Sequence, residues 1–203
     1  MPVIIRQLGL TDYETTLAAM QAFTLNRTNE TADELWVTEH PAIYTLGLNR
    51  KNVRLPQNKI PLVLVDRGGK ITYHGPGQAI IYFLIDLKRR HFNVRQIVNI
   101  METSIIELLA QLNVASITMP DAPGVYVKID SKYKKIASVG LRLKNNCCYH
   151  GLSLNVEMDL TPFSAIDPCG YVGLEMTQTK ALGITQNIAQ IGQLLLQKIS
   201  EKL

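Results

Sequence analysis

Residues 124–156, GVYVKIDSKYKKIASVGLRLKNNCCYHGLSLNV, divide into three β-rich runs at 125–127, 136–143 and 148–156, parted by Asp130-Ser131 and by Lys144-Asn145-Asn146. Asp, Ser and Asn bond their own backbone and tolerate turn conformations, so each break predicts a tight turn and the whole predicts a β-meander. Upstream, Leu62-Val63-Leu64-Val65 and residues 79–85 read as short buried strands flanking a glycine-rich loop, and Glu34 to Thr38 and Ile43 to Leu46 as two more strands split by His40-Pro41. Residues 49–61 are polar and carry prolines, which predicts a surface loop. Val3-Ile4-Ile5 reads as extended.

Three helices complete the pattern. Thr11-Asp12-Tyr13-Glu14 fits a capping box ahead of Tyr13, Leu17, Met20 and Phe23. Asn93 with Gln96 caps a second helix whose stripe is Val94, Val98, Met101, Ile105, Leu108 and Leu112. Ile188, Ile191, Leu195 and Ile199 give a closing amphipathic helix. Hairpin-like neighbours without strict β-α alternation predict an α+β fold, a mixed sheet with packed helices. No repeat, low-complexity tract or linker divides residues 1–203, so one domain is expected.

With 203 residues, 46% of them hydrophobic, the chain can bury a core without staples. Its longest apolar run, 79–85, falls far short of the roughly 20 residues of a membrane span. The opening Met1-Pro2-Val3-Ile4-Ile5-Arg6 lacks the pattern of a secretory leader, so a cytoplasmic location is expected and no membrane partner. A net charge of +4 is too small to imply nucleic acid, yet compatible with an acidic protein partner. The three cysteines, two of them adjacent at Cys147 and Cys148, suit no disulfide framework, and with neither C-x-x-C nor H-E-x-x-H present no metal site is expected.

The glycine-rich segment Arg67-Gly68-Gly69-Lys70-Ile71-Thr72-Tyr73-His74-Gly75-Pro76-Gly77-Gln78 lets backbone approach a ligand, but it is neither a phosphate-binding P-loop nor a dinucleotide fingerprint. On spacing alone it is equally a turn between strands, and His74 taken singly is more often structural than catalytic. Cys169 lies in Ile166-Asp167-Pro168-Cys169-Gly170-Tyr171, where Pro168 stiffens the approach and Gly170 leaves room beside the sulfur. An unspecified cysteine is more often a small buried hydrophobe, but the turn-prone setting favours reactivity. Lys135 is one of three closely spaced lysines, usually a solvated face. Strand alternation nevertheless puts it with Ala137 and Val139, opposite Lys134, Ile136 and Ser138, and an inward ammonium beside a thiol stabilises the thiolate.

Taken together, these residues resemble the lipoyl(octanoyl) transferase family. The resemblance is carried by Glu39-His40-Pro41-Ala42-Ile43-Tyr44-Thr45-Leu46-Gly47, by Arg67-Gly68-Gly69 with Thr72-Tyr73-His74-Gly75-Pro76-Gly77-Gln78, by Lys135-Ile136-Ala137-Ser138-Val139-Gly140-Leu141-Arg142, by His150-Gly151-Leu152-Ser153-Leu154-Asn155-Val156, and by Pro168-Cys169-Gly170. It implies a fold similar to the catalytic module of biotin and lipoate protein ligases. It implies Cys169 as acyl-thioester nucleophile, Lys135 as its assisting cation, and a substrate lined by Arg67, Gly68, Gly69, Lys70, Ile71, Thr72, Tyr73, His74, Ser138, Val139, Gly140, Gly151, Leu152 and Ser153. The implied donor is an octanoyl-acyl carrier protein. The implied acceptors are lipoyl domains of 2-oxoacid dehydrogenases and the glycine cleavage H protein. No cofactor is called for, and a monomer is expected. A basic rim of Lys132, Lys134, Arg142 and Lys144 is the expected carrier dock. Two rival readings stand beside this one, an ATP-dependent lipoate or biotin ligase and an inert carrier-binding module.

Overall fold

Two turns fix the large sheet. Asp130 and Ser131 have φ of 47° and 65°, and Asn145 and Asn146 have 51° and 60°. Left-handed backbone at both central positions makes tight two-residue hairpin turns, whose twist matches that of the flanking strands. They join β8 (Ala122–Ile129), β9 (Lys132–Lys144) and β10 (Cys147–Asn155) into the meander read from the sequence. The computed structural model describes residues 3–203; Met1 and Pro2, part of the stretch read for a leader, lie outside the described residues.

The remaining elements are β1 (Ile4–Leu10), α1 (Tyr13–Leu25), β2 (Glu34–Glu39), β3 (Ile43–Leu46), β4 (Leu62–Leu64), β5 (Ile71–His74), β6 (Gln78–Asp86), α2 (Val94–Gln111), β7 (Ser116–Met119) and α3 (Ile188–Ser200). The large sheet has the order β1-β2-β6-β10-β9-β8-β7, antiparallel apart from the parallel β1–β2 pair. A smaller sheet, β4-β3-β5, pairs β3 parallel to β4 and antiparallel to β5. The result is the expected α+β class with mixed sheets.

Alternation along β6 divides the interior. Ile81, Phe83 and Ile85 face α2 and α3, packing with Met101, Ile105, Leu108, Leu195 and Ile199. Ile80, Tyr82 and Leu84 face the other way, against Met20 of α1, Trp36 and Tyr149. Each fully buried aliphatic side chain of this kind contributes roughly 1.5–3 kcal/mol, so the two faces of β6 anchor both layers. The small sheet sits on the α1 side with its own cluster of Tyr44, Leu46, Ile71, Tyr73 and Phe163. The space between the two sheets becomes the cleft. Among the described residues, no helix is long and apolar enough to cross a membrane.

Several expectations need correction. The α1 cap is Asp12, whose carboxylate accepts the Thr15 N–H, while Thr11 bonds Thr38; the helix is therefore capped one residue later than read, by Asp12 with Thr15 three residues on rather than by the Thr11–Glu14 box. On α2 the capping box at Asn93 and Gln96 forms as expected. The buried face, however, runs through Ile97, Ile100, Met101, Ser104, Ile105, Leu108 and Leu109, while Val94 near the start is exposed. The strand read at Leu62 is not buried, because β4 is the edge of the small sheet and Leu62 and Leu64 point outward. The glycine-rich segment is not all loop, since residues 71–74 form β5, and β7 passed unread in the sequence.

Candidate active site

A β-bulge turns Lys135 inward. In the β8–β9 ladder Val125 pairs with Ala137 but Tyr126 pairs with Lys135, so Ile136 is an extra residue with no partner opposite. Ile136 and Ala137 both join the helix-side core, and the alternation is reset. Lys135 is thereby delivered to the opposite face, that of Ser138 and Gly140, rather than the face of Ala137 and Val139 predicted by simple alternation. Its side chain is wholly buried. The bulged strand is secured from outside: Lys135 N–H donates to the Glu175 carbonyl at 2.9 Å and its carbonyl accepts from Thr177 N–H at 2.9 Å.

Cys169 arrives on a short 3-10 turn, Pro168–Gly170, with its own backbone left-handed at φ 57°. Lys135 Nζ stands 2.8 Å from Cys169 Sγ and donates to the Pro123 carbonyl at 2.7 Å. The ring of Tyr126 lies 5.4 Å from the same ammonium, a cation–π contact that supports a buried charge. Close approach of the 123–124 backbone requires glycine. Gly124 has φ of 126°, and a Cβ there would overlap the Ala137 carbonyl and Lys135 Cε.

From this pair a narrow cleft of about 60 Å³ runs between the sheets. It is lined by Arg67, Gly69, Lys70, Ile71, Thr72 and His74 from the glycine-rich segment, by Ser138, Val139 and Gly140 of β9, and by Gly151, Leu152 and Ser153 of β10. The β strands bring these together by register, since Ser138 pairs with Ser153 and Gly140 with Gly151. Gly68 and Tyr73, expected among the lining, are not part of it. Gly68 donates its N–H to the Leu141 carbonyl at 2.8 Å, tying the loop to β9. Tyr73 alternates away from Thr72 and His74 and packs on Tyr44 and Phe163.

Tyr13, Ile80, Tyr82, His150 and Pro168 also line the cleft and were not among the substrate-lining residues expected from the sequence. For Ile80 and Tyr82 the signal was available, as they share one face of an alternating strand. His150 has φ of 63°, which leaves it and Tyr149 both reaching Asp66. Burial raises the Asp66 carboxyl, but hydrogen bonds from His150 and Tyr149 outweigh that and hold it well below the usual range. His74 is buried and pushed down to about 3 by desolvation, with His40 adding to the effect; its Nδ1 lies 2.7 Å from Gln78 Oε1. It is therefore a neutral hydrogen-bonding group on the cleft wall. Arg67 donates to the Thr45 carbonyl at 2.7 Å and to Thr45 Oγ1 at 2.8 Å, bracing the glycine-rich loop against β3.

Cys147 and Cys148 are buried, and burial raises both thiols, Cys148 to about 12. The expected basic rim does not form one patch. Lys132 and Lys134 both pair with Glu175, while Arg142 and Lys144 lie toward the other end of the 13-residue β9, on the order of 30 Å away at about 3.3 Å per residue. Among the described residues, no cluster of three or more His, Cys, Asp or Glu side chains could hold a metal ion.

Residues 12–200 match the family model of the lipoyl protein ligase A/B catalytic domain. The octanoyltransferase of Chromobacterium violaceum is 53% identical over the whole chain and 97% of its own length, and that of Laribacter hongkongensis is 54% identical over 98% and 95%. Among solved structures, the putative lipoate protein ligase Ta0514 of T. acidophilum superposes with a TM-score of 0.75 at 18% identity, covering all of this chain and 85% of that one. The biotin protein ligase of Aquifex aeolicus gives 0.56 at 15% identity over all of this chain and 68% of that one. At such low identities the structural likeness is one of fold, and it is the fold expected from the sequence.

Proposed function

Since the chain belongs to the lipoyl protein ligase A/B catalytic domain family and is an acyltransferase matching octanoyltransferases along its full length, we propose a two-step transfer through Cys169. In this reading an octanoyl group passes from the thioester of an acyl carrier protein to Cys169, and from there to a lysine of a lipoyl domain. Lipoyl domains of 2-oxoacid dehydrogenases and the glycine cleavage H protein are the acceptors. The observation that carries the reading is the 2.8 Å contact between Lys135 Nζ and Cys169 Sγ at the cleft.

The chemistry balances without a further reagent. The Cys169 thiolate attacks the carrier's thioester carbonyl; the tetrahedral intermediate collapses, the carrier sulfur leaves, and Lys135 gives it a proton. The acceptor lysine, as free amine, then attacks the acyl-enzyme carbonyl. Lys135 takes the proton that the new amide nitrogen sheds, and Cys169 departs as thiolate. Exchange of one thioester for another is nearly isoenergetic and amide formation is downhill, so no ATP is consumed. A lysine suits this work because its ammonium can give a proton and the amine left behind can take one back, which a guanidinium cannot do. Thr72, Ser138, Ser153 and the glycine backbone line the cleft that receives the acyl chain.

The test supplies two donors side by side. Octanoyl carrier thioester without ATP should octanoylate a lipoyl domain, and free octanoate with ATP should not. Transfer from free octanoate and ATP alone would replace the reading with that of a ligase.

A further inference from the structure

Lys135 Nζ has two polar partners, and the second leads to a carboxylate outside the cleft. Its acceptor is the carbonyl of Pro123, at 2.7 Å. The N–H of that same peptide group, on Gly124, donates to Glu102 Oε1, also at 2.7 Å. One peptide unit is thus bonded at its N–H by a carboxylate and at its C=O by an ammonium. Hydrogen bonds in series polarise one another: negative charge on the N–H side raises the electron density of the carbonyl oxygen and strengthens its grip on the cation. Glu102 is half-buried on α2, in the layer behind the large sheet, where a carboxylate needs such a partner. Burial raises its carboxyl, while the Gly124 N–H and the charge of Lys135 pull it back. Gly124 permits the arrangement, because any Cβ there would displace Lys135 Cε.

We propose that Glu102 is a positioning residue of this site, holding Lys135 Nζ against Cys169 Sγ through the 123–124 peptide. The proposal rests on the reading of Lys135 and Cys169 as a working pair. Without the carboxylate the Gly124 N–H loses its partner, the Pro123 carbonyl is held less firmly, and the ammonium is less closely aimed at the sulfur.

The experiment is a cycle on the full chain, reading iodoacetamide labelling of Cys169 at neutral pH together with kcat for octanoyl transfer. Glu102→Ala should slow labelling and lower kcat by about tenfold, the scale of one charge-assisted hydrogen bond. Glu102→Gln keeps an acceptor for the Gly124 N–H but not its charge and should recover part of the loss, whereas Glu102→Asp, one methylene shorter, should recover none. In a Lys135→Ala background, Glu102→Ala should have no further effect on labelling, since the residue it positions is gone. A purely structural role for Glu102 would slow labelling equally in both backgrounds, and that result overturns the proposal, as does wild-type labelling in Glu102→Ala. If Glu102→Ala folds poorly, the Gln and Asp variants decide alone: equal rates reject the proposal. A Lys135→Ala variant that itself labels like the wild type would instead strike down the underlying pair.

Discussion

Cys148 lies within β10, its sulfur 3.6 Å from the Phe83 carbonyl and its side chain enclosed by the helix-side core, so burial pushes the thiol up to about 12. Cys169 sits on a left-handed turn at the mouth of the cleft, half-buried, with an ammonium 2.8 Å away. The side chain is the same in both places. Burial keeps the first as thiol, whereas the second is open to the cleft and held against Lys135 Nζ. The two settings differ in what the backbone brings to the sulfur: for Cys169, a bulge that turns Lys135 inward and a turn that sets the thiol against it.

The largest way to break this contrast is to remove each sulfur in turn. Cys169→Ala should reduce octanoyl transfer by at least about a thousandfold, the scale seen when a nucleophile is lost, while its thermal melt stays close to wild type. Cys148→Ala should keep its activity and lose about 1 kcal/mol of stability, measured by urea unfolding, for the small cavity and the lost thiol contact. An active Cys169→Ala beside a dead but folded Cys148→Ala would invert the assignment.

A smaller effect sharpens the same contrast through pH. The Cys148 thiol is raised in the folded state above its ordinary value of 9.0. Its neutral form therefore contributes stability that is present in full below about 9 and is lost as the pH rises toward about 12. Tyr13 and Tyr149, also pushed up to about 12 by burial, act with the same sign from about 10 upward. Urea unfolding of the wild type should weaken with pH across this window, and Cys148→Ala should weaken less steeply. Identical slopes would mean that the Cys148 thiol is not held neutral by its surroundings.

The meander, α3 and the capping box of α2 were legible because turn residues, periodicity and caps act locally. Asn145-Asn146 announces its hairpin wherever the chain goes. β5 was not legible, since Ile71-Thr72-Tyr73-His74 is short and flanked by glycines that signal a loop, and only pairing with β3 makes it a strand. In the candidate site, Cys169 and Lys135 were expected together by resemblance and do meet, and an inward Lys135 was foreseen for the wrong geometric reason. Regular alternation puts it on the core side with Ala137, whereas the bulge at Ile136 places it in the cleft, and a bulge is a property of two strands together. Tyr13 and Glu102 escaped notice because each reaches the site from a helix far away in sequence.

The central claim, that Cys169 carries the acyl group, is tested most directly by intact-protein mass spectrometry after mixing the chain with an octanoyl carrier thioester in the absence of acceptor. The account predicts one added octanoyl group, removed by hydroxylamine as a thioester, mapped to the peptide holding Cys169, and discharged when a lipoyl domain is added. An unmodified mass under conditions in which transfer proceeds, or an octanoyl group on Cys147 or Cys148, would contradict it.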